Sequence, residues 1–190
     1  LHGGVFAPLV QRLSDRYTLH LVDLPGHGFS RDSEVPLTLD ATVTAILART
    51  PPAAWLAWSL GGLFALHAAA SSSQVRGLAM IAATPRFVRD GDWPHAVERR
   101  VFAQFGDDLR NDYAGTLERF LALDTMGSEH ARSELRTLKH DLYARGEPAP
   151  GALQQGLHLL EQSDLRATLP ALSVPTLWLA GRRDLLVPTK

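Results

Sequence analysis

The sequence predicts an α/β architecture: a mostly parallel sheet with helices on both faces and a helical cap inserted between two of its strands. Three observations carry that expectation. Short apolar runs alternate with helical segments, the runs end in Gly, Pro or Ser punctuation, and one long charged stretch interrupts the alternation. The 190 residues are enough for one domain with a sizeable core.

Taken in order, "YTLHLVDLPGHG" (17–28) reads as a buried strand that ends in a loop. "AAWLAW" (53–58), after the breaker Pro51-Pro52, is a second strand, and "LGGLFALHAAA" (60–70) is a helix whose small residues suit close packing on a sheet. "VRGLAMIAATP" (75–85) and "VPTLWLAG" (174–181) read as two further buried strands. Between Pro85 and Leu172 apolar residues recur at helical spacing, as in Leu117, Phe120, Leu121 and Leu123, then Leu135, Leu138 and Leu142. The expected organisation is therefore core over 1–85, helical cap over 86–171, and core again over 172–190. The alternative for the middle segment is a long crossover. Leu1 is not an initiator methionine, and the chain is expected to be an internal piece of a longer protein.

Composition narrows the function. At 45% hydrophobic and 21% charged, the chain is ordinary for a globular protein, and its formal net charge of -1 gives no reason to expect nucleic acid or an anionic membrane as partner. No apolar run approaches the roughly 20 residues of a membrane span. With no cysteine, disulfide and thiolate chemistry are excluded, and cytoplasm is the expected compartment.

The chemistry centres on Ser59. The nucleophile elbow G-x-S-x-G puts a serine on a strained strand-to-helix turn at the carboxyl end of a sheet strand. Here it reads Ala57-Trp58-Ser59-Leu60-Gly61, with alanine where glycine is usual. The Leu60 N–H, at a helix N-terminus, is the candidate oxyanion donor. The alternative is that Ser59 merely caps the helix. "DLPGHGFS" (23–30) fits D-x-x-G-x-G-x-S, and "GRRDLLVP" offers Asp184 as the acid of a Ser…Asp…His order, although a loop aspartate is also a common turn residue.

With these anchors the chain resembles the α/β-hydrolases. More narrowly it resembles the biotin-synthesis carboxylesterases that act on pimeloyl-[acyl-carrier protein] methyl ester, most tellingly in "WLAWSLGG", "TLERFLALDTMGS" and "DLRATLPALSVPTLWLAGRRDLLVP". The resemblance implies Ser59 as nucleophile, Asp184 as acid and Leu60 as oxyanion donor. It also implies that Phe120, Leu121, Ala122, Leu123 and Asp124 line the acyl pocket. Arg119, Arg132 and Arg136 match cap arginines that hold the acidic carrier protein, while a further family arginine falls on Gly115. Arg132, Arg136 and Lys139 stand at i, i+4 and i+7, on one helix face; the alternative is a solvated face.

The base is missing from its expected place. None of the eight histidines follows Asp184, so the catalytic histidine is expected beyond Lys190. His67 is expected to be a packed or half-exposed helix residue, and His27 matches a non-catalytic position. "LHGG" at the start imitates a His-Gly oxyanion motif, but too few residues separate it from Phe6, so His2 is given no catalytic role. The expected protein is a monomeric serine carboxylesterase that needs no cofactor or metal, with acyl-carrier protein as partner and neither nucleic acid nor membrane. A general short-acyl carboxylesterase and a non-catalytic hydrolase-fold binding protein are the alternatives.

Overall fold

Residues 53–81 form a parallel βαβ unit. Its strands β1 (Ala53–Trp58) and β2 (Val75–Ile81) are joined by helix α3 (Gly61–Ser71), and β3 (Thr176–Leu179) pairs parallel on the far side of β2. The computed structural model describes residues 2–124, 131–149, 151–182, 184 and 186–188. Helices α1 (Ala7–Leu13) and α2 (Leu39–Leu47) precede the unit, and α4 (Arg99–Asn111), α5 (Tyr113–Asp124), α6 (Ala131–Tyr143) and α7 (Ala152–Gln162) lie between β2 and β3. Among the described residues no helix is long and apolar enough to cross a membrane.

The chain divides into two compact units: Leu1–Glu34 with Phe105–Leu153, and Val35–Gln104 with Gln154–Lys190. The second holds the sheet. There α3 packs on β1 and β2, and α2 packs on α3. Leu63, Phe64, Leu66 and Ala68 of α3 are buried, as expected of a helix that is apolar all round, and so is Met80 of β2 beneath it. Phe87 and Phe102 meet edge to face with centroids 6.4 Å apart. Asp164 lies between Arg86 and Arg166, at 2.7 Å from each. The hydrogen bonds from Arg166, with those from Arg86, hold its carboxyl well below the usual range.

In the first unit α5 and α6 pack as a helical pair. Leu117 and Leu121 are buried between them, with Tyr113, Phe120, Leu135 and Leu138 against them. Lys139 reaches across to Glu118 at 2.9 Å, so it belongs to the seam between the helices. Leu142, also expected on the apolar face, has its side chain outside the described residues.

Two expectations need correction. Residues 17–22 are not a buried strand: the segment pairs with no strand among the described residues, and Tyr17, Leu21 and Val22 are exposed. A β-rich composition reports willingness to be a strand, but a ladder also needs a neighbour. The segment 174–181 does contain a strand, but β3 is exposed along its whole length. It ends the strand order β1-β2-β3, so only one of its edges is paired among the described residues.

Candidate active site

The site is assembled where β1 turns into α3. Ser59 has φ 52°, a left-handed conformation that a non-glycine residue keeps only where its surroundings enforce it. Its N–H donates to the Ile81 carbonyl on β2 at 3.0 Å, and its own carbonyl accepts from the Gly62 N–H at 2.9 Å. The helix begins at Gly61 with Leu60 in the N-cap position. Ser59 therefore stands before the cap, which sets the capping alternative aside.

Small residues let this turn close. A methyl group at Gly62 would fall 2.5 Å from the Ala83 Cβ and 2.7 Å from the Met80 Cε, so the glycine is what brings α3 down onto β2. A methyl at Gly61 would lie 3.9 Å from the Ala57 Cβ, an ordinary contact, and the turn has room for alanine where glycine is usual. The Leu60 N–H heads the first turn of α3, where the helix dipole favours negative charge. The side chain of Leu60 is accommodated by α7, where a methyl on Gly156 would sit 3.1 Å from its Cδ2.

Asp184 lies in the loop after β3. Its Oδ1 accepts from the N–H groups of Leu186 at 2.8 Å and Val187 at 2.9 Å, and its N–H donates to Gly181 at 3.0 Å. This Asx-type turn fixes the carboxylate with the loop's own backbone. Trp58, Ile81 and Leu179 share one register row. The ends of β1 and β3 are thus two inter-strand spacings apart, about 10 Å.

The described histidines have other occupations. His67 pairs with Asp40 of α2, Nε2 to Oδ1 at 2.8 Å. His2 caps the turn Gly3–Phe6, its Nδ1 accepting from the Gly4 N–H at 3.1 Å. His27 is buried with Nδ1 3.0 Å from the Pro25 carbonyl, and burial pushes its pKa down to about 4. His20, His95, His140 and His158 are exposed, and His130 lies outside the described residues. Among the described residues, no group of three or more His, Cys, Asp or Glu could hold a metal ion.

The residues matched to the acyl pocket and to carrier docking belong to the first unit. Leu121 is buried in the α5–α6 seam. Phe120 packs against Phe105 with centroids 5.6 Å apart, and Ala122 is exposed. Leu123 and Asp124 end α5, and their side chains lie outside the described residues. Arg119, Arg132 and Arg136 are exposed, with Arg119 donating to Thr116 at 2.7 Å and reaching Asp112 at 3.4 Å.

Sequence reasoning missed the network around Asp23. That buried carboxylate accepts from the N–H groups of Gly3 at 2.7 Å and Phe29 at 2.8 Å, and from Arg145 at 3.0 and 3.1 Å. The Arg145 guanidinium also lies 4.4 Å from the centroid of the Phe29 ring. Gly26 and Gly28 take φ 79° and 48°, which lets the loop reverse under the carboxylate. The glycine pattern was visible in the chain. A partner 122 residues away was not.

Comparison with known proteins agrees with the fold. Residues 2–190 match the alpha/beta hydrolase fold family. A pimeloyl-[acyl-carrier protein] methyl ester esterase of Xanthomonas axonopodis pv. citri is 72% identical over 188 residues, which are 99% of this chain and 74% of that protein. Its namesake in Stenotrophomonas maltophilia is 68% identical, with 98% and 72% covered. An esterase from Exiguobacterium antarcticum, 21% identical, superposes with a TM-score of 0.81 over 99% of this chain and 72% of its own. The chain belongs to the α/β-hydrolase fold family and, within it, to the pimeloyl-[acyl-carrier protein] methyl ester esterases.

Proposed function

We propose that this protein is a serine carboxylesterase that hydrolyses the methyl ester of pimeloyl-[acyl-carrier protein] to the free acid and methanol, in the cytoplasm and in the service of biotin synthesis. The observation that carries the reading is Ser59 held at φ 52° between β1 and α3. Ser59 Oγ attacks the ester carbonyl, and a histidine oriented by Asp184 takes its proton. The Leu60 N–H donates to the oxyanion of the tetrahedral intermediate. Collapse releases methanol, which receives that proton, and leaves an acyl-enzyme that water hydrolyses by the reverse sequence. Phe120 to Asp124 line the acyl pocket, and Arg119, Arg132 and Arg136 receive the acidic carrier. The chain acts as a monomer.

The test uses the full-length protein. Ser59→Ala should lower turnover by on the order of a million-fold, and a fluorophosphonate should label Ser59 alone. Labelling at another serine would overturn the assignment. Replacing Arg119, Arg132 and Arg136 together should raise KM for the carrier-bound ester by roughly ten-fold, at about 0.5–1 kcal/mol per exposed contact, and leave a small free ester little changed. Loss on neither substrate would favour a general short-acyl esterase.

A further inference from the structure

We propose that Ala82 is a positioning residue for the nucleophile, holding the peptide unit that spaces Ser59 from β3, the strand that leads into the Asp184 loop. The proposal rests on Ser59 being the nucleophile. Among the described non-glycine residues only Ser59 and Ala82 have positive φ, at 52° and 44°. They follow directly on Trp58 and Ile81, which are register partners. The two left-handed residues therefore stand side by side on neighbouring strands at one sheet edge.

One peptide plane links them. The Ile81 carbonyl accepts from the Ser59 N–H at 3.0 Å, while the Ala82 N–H donates to the Leu179 carbonyl at 2.8 Å. The Ile81 C=O and Ala82 N–H belong to the same rigid trans peptide and point in opposite directions. A single plane thus grips the elbow on one side and β3 on the other. Continuing β2 straight past it would carry residues 82–84 over the gap between Ser59 and the Asp184 loop, where substrate and base must meet. The left-handed turn at Ala82 instead sends the chain toward α3, where Ala83 is buried against Gly62. An alanine in this conformation is strained, since its Cβ crowds the following carbonyl. The hydrogen bond to Leu179 and the burial of the next residue, Ala83, against Gly62 hold it there.

The test is a graded series in the full-length enzyme: Ala82→Gly, Ala82→Leu and Ala82→Val, in falling order of tolerance for positive φ. Fluorophosphonate labelling of Ser59, kcat and KM are measured on the variants that thermal melting shows to be folded. The valine variant should label roughly ten-fold more slowly or worse, with kcat falling in step and KM nearly constant, because misplacing a reacting group by under 1 Å is already costly. The leucine variant, unbranched at Cβ, should fall between, and it carries the test if valine does not fold. Glycine should recover most of the loss. Folded variants that all label at the parent rate, or a glycine variant as slow as valine, would overturn the role of Ala82. A parent enzyme that does not label at Ser59 would instead overturn the nucleophile assignment on which the proposal rests.

Discussion

The turn at 57–62 and the loop at 23–31 are both tight, glycine-punctuated reversals, held by opposite means. The turn is held by packing and backbone geometry. Gly62 has no room for a methyl between Ala83 and Met80, and Ser59 is fixed through its backbone N–H and C=O. The loop is held by charge. Asp23 collects two backbone N–H groups and the Arg145 guanidinium, and Arg31 donates to the Glu147 carbonyl at 3.1 Å. A turn held through its backbone leaves the side chain proposed as the nucleophile available for chemistry. A structural loop can use its side chains freely.

The hardest way to break the contrast is to truncate the key side chain in each. Asp23→Ala should cost about 3–5 kcal/mol of stability, because it leaves the largely buried Arg145 charge and the buried Gly3 N–H without their acceptor. Ser59→Ala should change stability by less than about 0.5 kcal/mol while abolishing turnover. Urea midpoints on the two variants measure both, and comparable midpoint shifts would contradict the contrast.

Acid should act on the loop before the turn. Burial lowers His27 from 6.5 to about 4, so the unfolded chain binds this proton more readily than the folded one. The resulting stability is complete above about pH 6.5 and is lost as pH falls toward 4. His27→Gln should flatten that part of the stability–pH curve, and a curve as steep as the parent's would refute the assignment.

Within the turn, the two glycines should differ. Gly62→Ala must push Ala83 or Met80 aside and should cost about 1–3 kcal/mol. Gly61→Ala meets only Ala57 at 3.9 Å and should be neutral or stabilising by up to about 1 kcal/mol through helix propensity. Thermal melts of the pair separate close packing from a general intolerance of substitution at the elbow.

What could be read from the chain was what is local. The elbow was legible because a strand, a serine and two glycines fall within a few residues. The Asx turn at Asp184 joins positions only two and three apart, so an aspartate in that loop was a fair candidate for a fixed carboxylate. The strand expected at 17–22 failed because apolar, β-branched residues do not say what lies beside them, and the exposure of β3 was missed for the same reason. Arg145 could not be matched to Asp23 across so long a separation. Ala82 carried no signal at all, since an alanine announces nothing about positive φ.

The two ends of the sheet differ in their tolerance of error. At the amino end of β1 the pairing with β2 already slips between Ala53 and Ala54, while from Ala54 to Trp58 the register runs on without interruption. A residue gained or lost near Ala53 can be absorbed as a bulge. One gained or lost near Trp58 would move Ser59 a full step of about 3.3 Å and swing its side chain to the opposite face. For anyone splicing this fold to a relative, the seam in β1 belongs at its amino end, where a change in length leaves the Ser59 turn in register.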